Sequence, residues 1–177
     1  MKKHKLGIIN KSQVGFTIVE LMLALAISGV LSTGVTMTLF QLVTGSARTS
    51  NHMTAVRQVQ NAGYWVSRDA QLMQGEPIIV TDGGGQLVSV TLSWIDWNDT
   101  LNTVIYTFEG TDEGTELWRD DGAQPALIAR FIDPAPTKTM CDFSGGVLTF
   151  TVTVTVGSGS QEQSESRVYR IVPRPGS

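Results

Sequence analysis

Apolar positions along this chain change their spacing twice. From Phe16 to Ala47 they form a nearly continuous run of 32 residues that carries one charge, Glu20. As a helix, such a run is long enough to cross a hydrocarbon core of roughly 30 Å. After it, Met53, Val56, Val59, Gly63, Val66, Ala70 and Met73 recur at intervals of three and four. Arg57, Gln58, Asn61, Arg68, Asp69 and Gln71 fall on the other face. This is the stripe of an amphipathic helix, and Gly75-Glu76-Pro77 supplies its stop. One helix from about Phe16 to about Gln74 is predicted, on the order of 88 Å long at 1.5 Å per residue. Gly29, Gly34 and Gly45 mark places where it would bend or loosen, and where another helix could approach closely.

Beyond Pro77 the period falls to two. Val88, Val90, Leu92 and Trp94 alternate with Ser89, Thr91 and Ser93; Val104, Tyr106 and Phe108 alternate with Thr103, Ile105 and Thr107; and Leu148, Phe150, Val152, Val154 and Val156 alternate with threonines. These predict antiparallel strands with one buried face each. Turns are expected at Gly83-Gly84-Gly85, Asn98-Asp99, Asp121-Gly122, Gly145-Gly146 and Gly157-Ser158-Gly159. A last strand lies near Arg167 to Val172, ahead of Pro173 and Pro175. The fold class is therefore α+β. A long N-terminal helix, membrane-spanning in its first half, packs through its second half on a C-terminal antiparallel β domain of about six to eight strands.

Charge divides the chain in the same way. Residues 1–15 hold Lys2, Lys3, Lys5 and Lys11 and no acid; the remainder carries 9 Lys or Arg against 16 Asp or Glu. A basic flank before an apolar span holds the N-terminus in the cytoplasm and sends the following part outward, with Arg48 marking the outer water boundary. An acidic exported part lacks the basic footprint that nucleic acid requires, so no direct nucleic-acid binding is expected. Cys141, the only cysteine, cannot form an intramolecular disulfide and is expected to be buried as a small hydrophobe.

Catalytic chemistry finds few candidates. The two histidines are His4, before the apolar run, and His52, on the predicted helix, so no His/Cys or Ser/His/Asp site assembles on the β domain. The chain is not expected to be an enzyme or to need a cofactor. Asp112-Glu113 and Asp120-Asp121 read as solvated turn residues. A calcium site there is the functional alternative, without EF-hand spacing to support it. Trp94 is assigned to the core. Trp97, three residues on, is assigned to packing at a strand end, with an exposed contact as the alternative. Arg68 and Asp69 read as a pair on the helix surface.

Three readings compete for the N-terminal segment. A secretory signal has an apolar core of about 7–15 residues, half the length of this one. A plain anchor helix fits the length but not Glu20, because a carboxylate in hydrocarbon costs roughly 2.5 kcal/mol or more. The residues Lys11-Ser12-Gln13-Val14-Gly15-Phe16-Thr17-Ile18-Val19-Glu20-Leu21 resemble the processing motif of type IV prepilins and type II secretion pseudopilins. The resemblance implies a pilin-like fold, cleavage between Gly15 and Phe16 by a prepilin peptidase and methyltransferase, and N-methylation of Phe16. It implies that Glu20 attracts the N-terminal amine of a neighbouring subunit during assembly, where a buried charge must be paired. Glu20 solvated at headgroup depth is the simpler alternative.

The resulting organisation is a leader at 1–15, a membrane and filament-core helix at 16–47, an amphipathic continuation at 48–75 and a soluble β domain at 76–177. Val104-Ile105-Tyr106, Glu116-Leu117-Trp118-Arg119, Ala126 to Phe131, Arg68-Asp69 and Val168 to Arg174 loosely resemble J-type minor pseudopilins and PilW-like minor pilins. The implied partners are other pilins or minor pseudopilins, the inner-membrane assembly platform and the lipid bilayer. The implied location is the inner membrane, by a single pass, and then the pilus or pseudopilus. A tip-displayed adhesin or DNA-uptake module is the alternative function.

Overall fold

The structure is a computed structural model that describes residues 15–112 and 114–174. Three parts of the reading above lie outside these residues: the basic leader through Val14, with His4; Glu113 of the Asp112-Glu113 turn; and Pro175.

A single helix, α1 (Ile18–Ala70), covers 53 residues. It stays α-helical through Gly29, Gly34 and Gly45, where the expected loosening does not appear, and a Cβ added at any of them would meet open space. It ends four residues before the predicted limit. Met73 continues the buried stripe beyond Ala70, and Gln74 instead donates its amide to the Ser93 carbonyl at 2.9 Å.

Eight strands follow: β1 (Ile78–Thr81), β2 (Leu87–Ile95), β3 (Leu101–Thr111), β4 (Gly114–Asp120), β5 (Ala126–Ile132), β6 (Met140–Ser144), β7 (Val147–Val156) and β8 (Gln163–Ile171). All pairings are antiparallel, in the order β1-β2-β3-β4-β5-β7-β6, with β8 also on β7. The union of β5 and β7 rests on one ladder pair, Ile132 with Val154. The five predicted turns all fall between strands. Gly145 and Gly146 both take positive φ in the two-residue β6–β7 turn, a conformation open to glycine without steric cost.

The chain forms two compact units, residues 1–43 and 44–177. In the first, the described residues are α1 with its large apolar side chains exposed. It is long and apolar enough to cross a membrane. In the second, Ala55, Val59, Ala62, Val66, Ala70 and Met73 bury one stripe of the helix against inward residues of the sheet, among them Leu92, Val104, Tyr106, Leu117, Phe150 and Val152. Val154 and Thr153 are both buried in β7, because that strand is covered on both faces there. Gly63 allows the closest approach: a Cβ at this position would overlap the Tyr169 ring of β8, and the Tyr169 hydroxyl donates to the Val59 carbonyl at 3.1 Å.

Candidate functional site

The residues singled out at the N-terminus form one local unit. Gly15 and Phe16 precede the helix, and Phe16 is 90% exposed. Thr17 is the cap. Its carbonyl accepts the Leu21 amide at 3.1 Å, and its hydroxyl accepts the Glu20 amide at 3.2 Å. Glu20 reaches back, with Oε2 taking the Thr17 amide at 3.0 Å and the Thr17 hydroxyl at 2.9 Å. This reciprocal arrangement is a capping box, in which Ser or Thr and an acid three residues later satisfy amides that the first turn leaves free. The signal Thr17-x-x-Glu20 was present in the sequence, but the processing motif gave another reason for the same residues. An acid in the first turn also faces the positive end of the helix dipole.

Three threonines further along the apolar segment satisfy their hydroxyls within the helix. Thr33, Thr36 and Thr38 donate their hydroxyls to the carbonyls of Gly29, Ser32 and Gly34, four residues back, at 2.8–2.9 Å. A hydroxyl paired within its own helix can enter hydrocarbon without an unmet donor.

In the second unit, the structure corrects the reading of Asp69. It is not on the helix surface with Arg68: it is 1% exposed, and Arg68 Nε stands 4.0 Å from it. Asp69 Oδ2 accepts the Tyr106 hydroxyl at 2.6 Å and Arg119 Nε at 2.7 Å. The physical reason is helical phase, since Asp69 follows Ala62 and Val66 at steps of four and three on the buried stripe. Arg119 then passes outward to Asp121 at 2.6 Å. The Trp65 ring has two guanidinium groups over it, with Arg68 at 4.9 Å and Arg119 at 5.1 Å from the ring centroid, both within cation–π range. Burial pushes the Tyr106 hydroxyl pKa well up, and its bond to Asp69 raises it further. For Arg119, burial favours the neutral form, but the bonds to Asp69 and Asp121 outweigh it and keep the group firmly charged.

The remaining candidates separate. Asp121 is held below the usual carboxylate range by its hydrogen bond from Arg119, while Asp120 Oδ1 accepts the Gly122 amide at 2.8 Å. Among the described residues, no three His, Cys, Asp or Glu side chains converge as metal ligands. His52 is exposed on α1. Arg48 donates to the Ser160 carbonyl at 2.7 Å and Asn51 to that of Gln161 at 2.9 Å, so both tie the helix to the β7–β8 connection. Trp94 packs partly buried against the core. Trp97 does not pack at a strand end: β2 stops at Ile95, and Trp97 stands 91% exposed in the turn. Cys141 is partly buried, and desolvation pushes its thiol up to about 12.

Residues 10–36 match the model of the prokaryotic N-terminal methylation motif. The match takes in Gly15, Phe16 and Glu20. It supports a type IV pilin-like or pseudopilin-like precursor, and with it processing by a prepilin peptidase and assembly with other pilins. The long apolar helix agrees with a membrane-anchored chain of this kind. No curated protein and no solved structure is detectably similar to the chain.

Proposed function

We propose that this protein is a structural subunit of a type IV pilus or type II secretion pseudopilus, with no catalytic role. The observation that carries the reading is the methylation motif over residues 10–36, lying at the start of the exposed apolar run 16–47, whose single charge, Glu20, sits in the first turn of α1. The precursor spans the inner membrane once, with its basic leader in the cytoplasm and its β domain outside. A prepilin peptidase cuts between Gly15 and Phe16 and N-methylates Phe16.

Glu20 has two states in this scheme. In the single subunit its carboxylate serves Thr17; in the fibre it pairs with the Phe16 amine of a neighbour, because an acid in a dry helix bundle needs a counter-charge. The resemblance of segments 104–106, 116–119 and 126–131 supports a J-type minor subunit over a major one.

Mass spectrometry of the protein recovered from its host tests this. The expected N-terminal peptide begins at Phe16 and carries one methyl group. Glu20→Ala is expected to leave cleavage intact and to abolish incorporation into sheared fibres. A chain that still retains its leader, or one cut beyond Glu20, refutes the reading.

A further inference from the structure

Two hydrogen bonds pin the connection between β7 and β8, residues 157–162, to α1. Arg48 Nε donates to the Ser160 carbonyl at 2.7 Å, and Asn51 Nδ2 to that of Gln161 at 2.9 Å. The approach is close, since a Cβ at Gly157 would overlap the Asn51 side chain. Thr44 and Ala47 share a helix face with Asn51, at steps of three and four. They are the first described residues of α1 to lose part of their exposure. The connection is thus fixed within about one turn of Ala47, where the apolar run ends.

That level has a place in a membrane. The apolar run measures about 48 Å at 1.5 Å per residue, against a bilayer of about 40–45 Å with its headgroups. With Phe16 at the cytoplasmic interface, Ala47 emerges at the outer headgroups, and α1 continues unbroken through this point. Residues 157–161 bring no charge to that layer, and Gly157, Ser158, Gly159 and Ser160 are all exposed. Arg48 is exposed as well and, among the described residues, takes part in no ion pair. Its bond to Ser160 occupies Nε. The two terminal nitrogens are left for an anion, and a planar guanidinium suits the oxygens of a phosphate.

We infer that the β7–β8 connection is the bilayer-facing end of the β domain, where Arg48 bridges the Ser160 carbonyl and a lipid phosphate. The β2–β3 turn marks the opposite end, because Gln74, just past α1, donates to the Ser93 carbonyl of β2. About 33 Å of helix separates Arg48 from Ala70. The inference rests on the membrane-anchored reading and adds to it which surface of the domain meets lipid.

The test uses the full chain with Cys141→Ser, inserted in vesicles of phosphatidylethanolamine and phosphatidylglycerol that contain a headgroup-nitroxide phospholipid. A fluorescent label is attached through Ser158→Cys or, in the β2–β3 turn, through Trp97→Cys. Both positions are exposed, and the Ser158 side chain makes no capping bond. The nitroxide is expected to quench the label at residue 158 at least about threefold more than at residue 97, given the helix length between the two ends. Arg48→Gln, which leaves the Asn51 bond in place, is expected to lower the quenching at 158 at least about twofold. Equal quenching at the two sites overturns the contact, as does a signal at 158 unmoved by Arg48→Gln. Vesicle flotation reports separately on the membrane-anchored reading. Chains that do not float refute that reading and the contact together, whereas floating chains with residue 158 beyond reach of the nitroxide refute the contact alone.

Discussion

Asp69, in the last turn of α1, accepts a 2.7 Å hydrogen bond from Arg119 of β4, fifty residues away. Asp69 and the Arg119 side chain are both largely shielded from water, at 2% and 11% side-chain exposure. The same carboxylate oxygen takes the Tyr106 hydroxyl from β3, so one acid ties the helix to two adjacent strands. Removing one member of a buried ion pair leaves the other charge without compensation.

Asp69→Ala is therefore expected to destabilise the β domain by roughly 3–5 kcal/mol, measured as a lower denaturant midpoint for the full chain in detergent. Asp69→Leu combined with Arg119→Met should recover most of that loss, because the uncompensated charge is then gone. A double variant as unstable as the single one would show that the pair is needed for more than mutual neutralisation.

Gly63→Ala should be costly for a different reason. The added methyl has to displace the Tyr169 ring, and overpacking of this kind costs typically about 1–3 kcal/mol. Gly29→Ala, whose Cβ meets nothing, is expected to leave the stability of the β domain unchanged. Comparing the two denaturant midpoints separates contact with Tyr169 from general helix propensity.

Cys141 provides the pH prediction. Its thiol rises from the ordinary 9.0 to about 12 through burial, which favours the neutral form. At neutral pH the folded chain holds about 10³-fold less thiolate than an unfolded one, so alkylation should be slower by a similar factor and accelerate on denaturation. Because the folded pKa is raised, this group's contribution to stability is complete below pH 9 and is lost as pH rises toward 12. Fast alkylation of the folded chain at pH 7 would contradict the burial.

Trp97 should prove dispensable for folding. Its turn is held by the Asp99 amide on the Asp96 carbonyl at 3.0 Å and the Asp96 amide on the Thr100 carbonyl at 2.9 Å, while its ring is in solvent. Trp97→Ser is expected to change stability by no more than about 0.5 kcal/mol, and its loss should remove the water-exposed part of the tryptophan emission. A larger shift in the denaturant midpoint would place the ring in a packing role after all.

Residue order alone carried a great deal here. The apolar run, its single acid and the motif around Gly15 and Phe16 are contiguous, and helix phase and strand alternation are short-range periodicities, so α1, the buried faces of β3 and β7 and all five turns could be read directly. β1 and β6, each five residues or fewer, are too short to show a period.

Partnership across the chain was decided only by folding. Asp69 looked like a surface acid until Tyr106 and Arg119 arrived from strands whose register depends on every turn between them. Trp97 looked like a strand residue until β2 ended at Ile95. Strand pairing brings together residues tens of positions apart, and nothing in local spacing encodes which hydroxyl or guanidinium will meet a given carboxylate, or which strands will be left with an open edge.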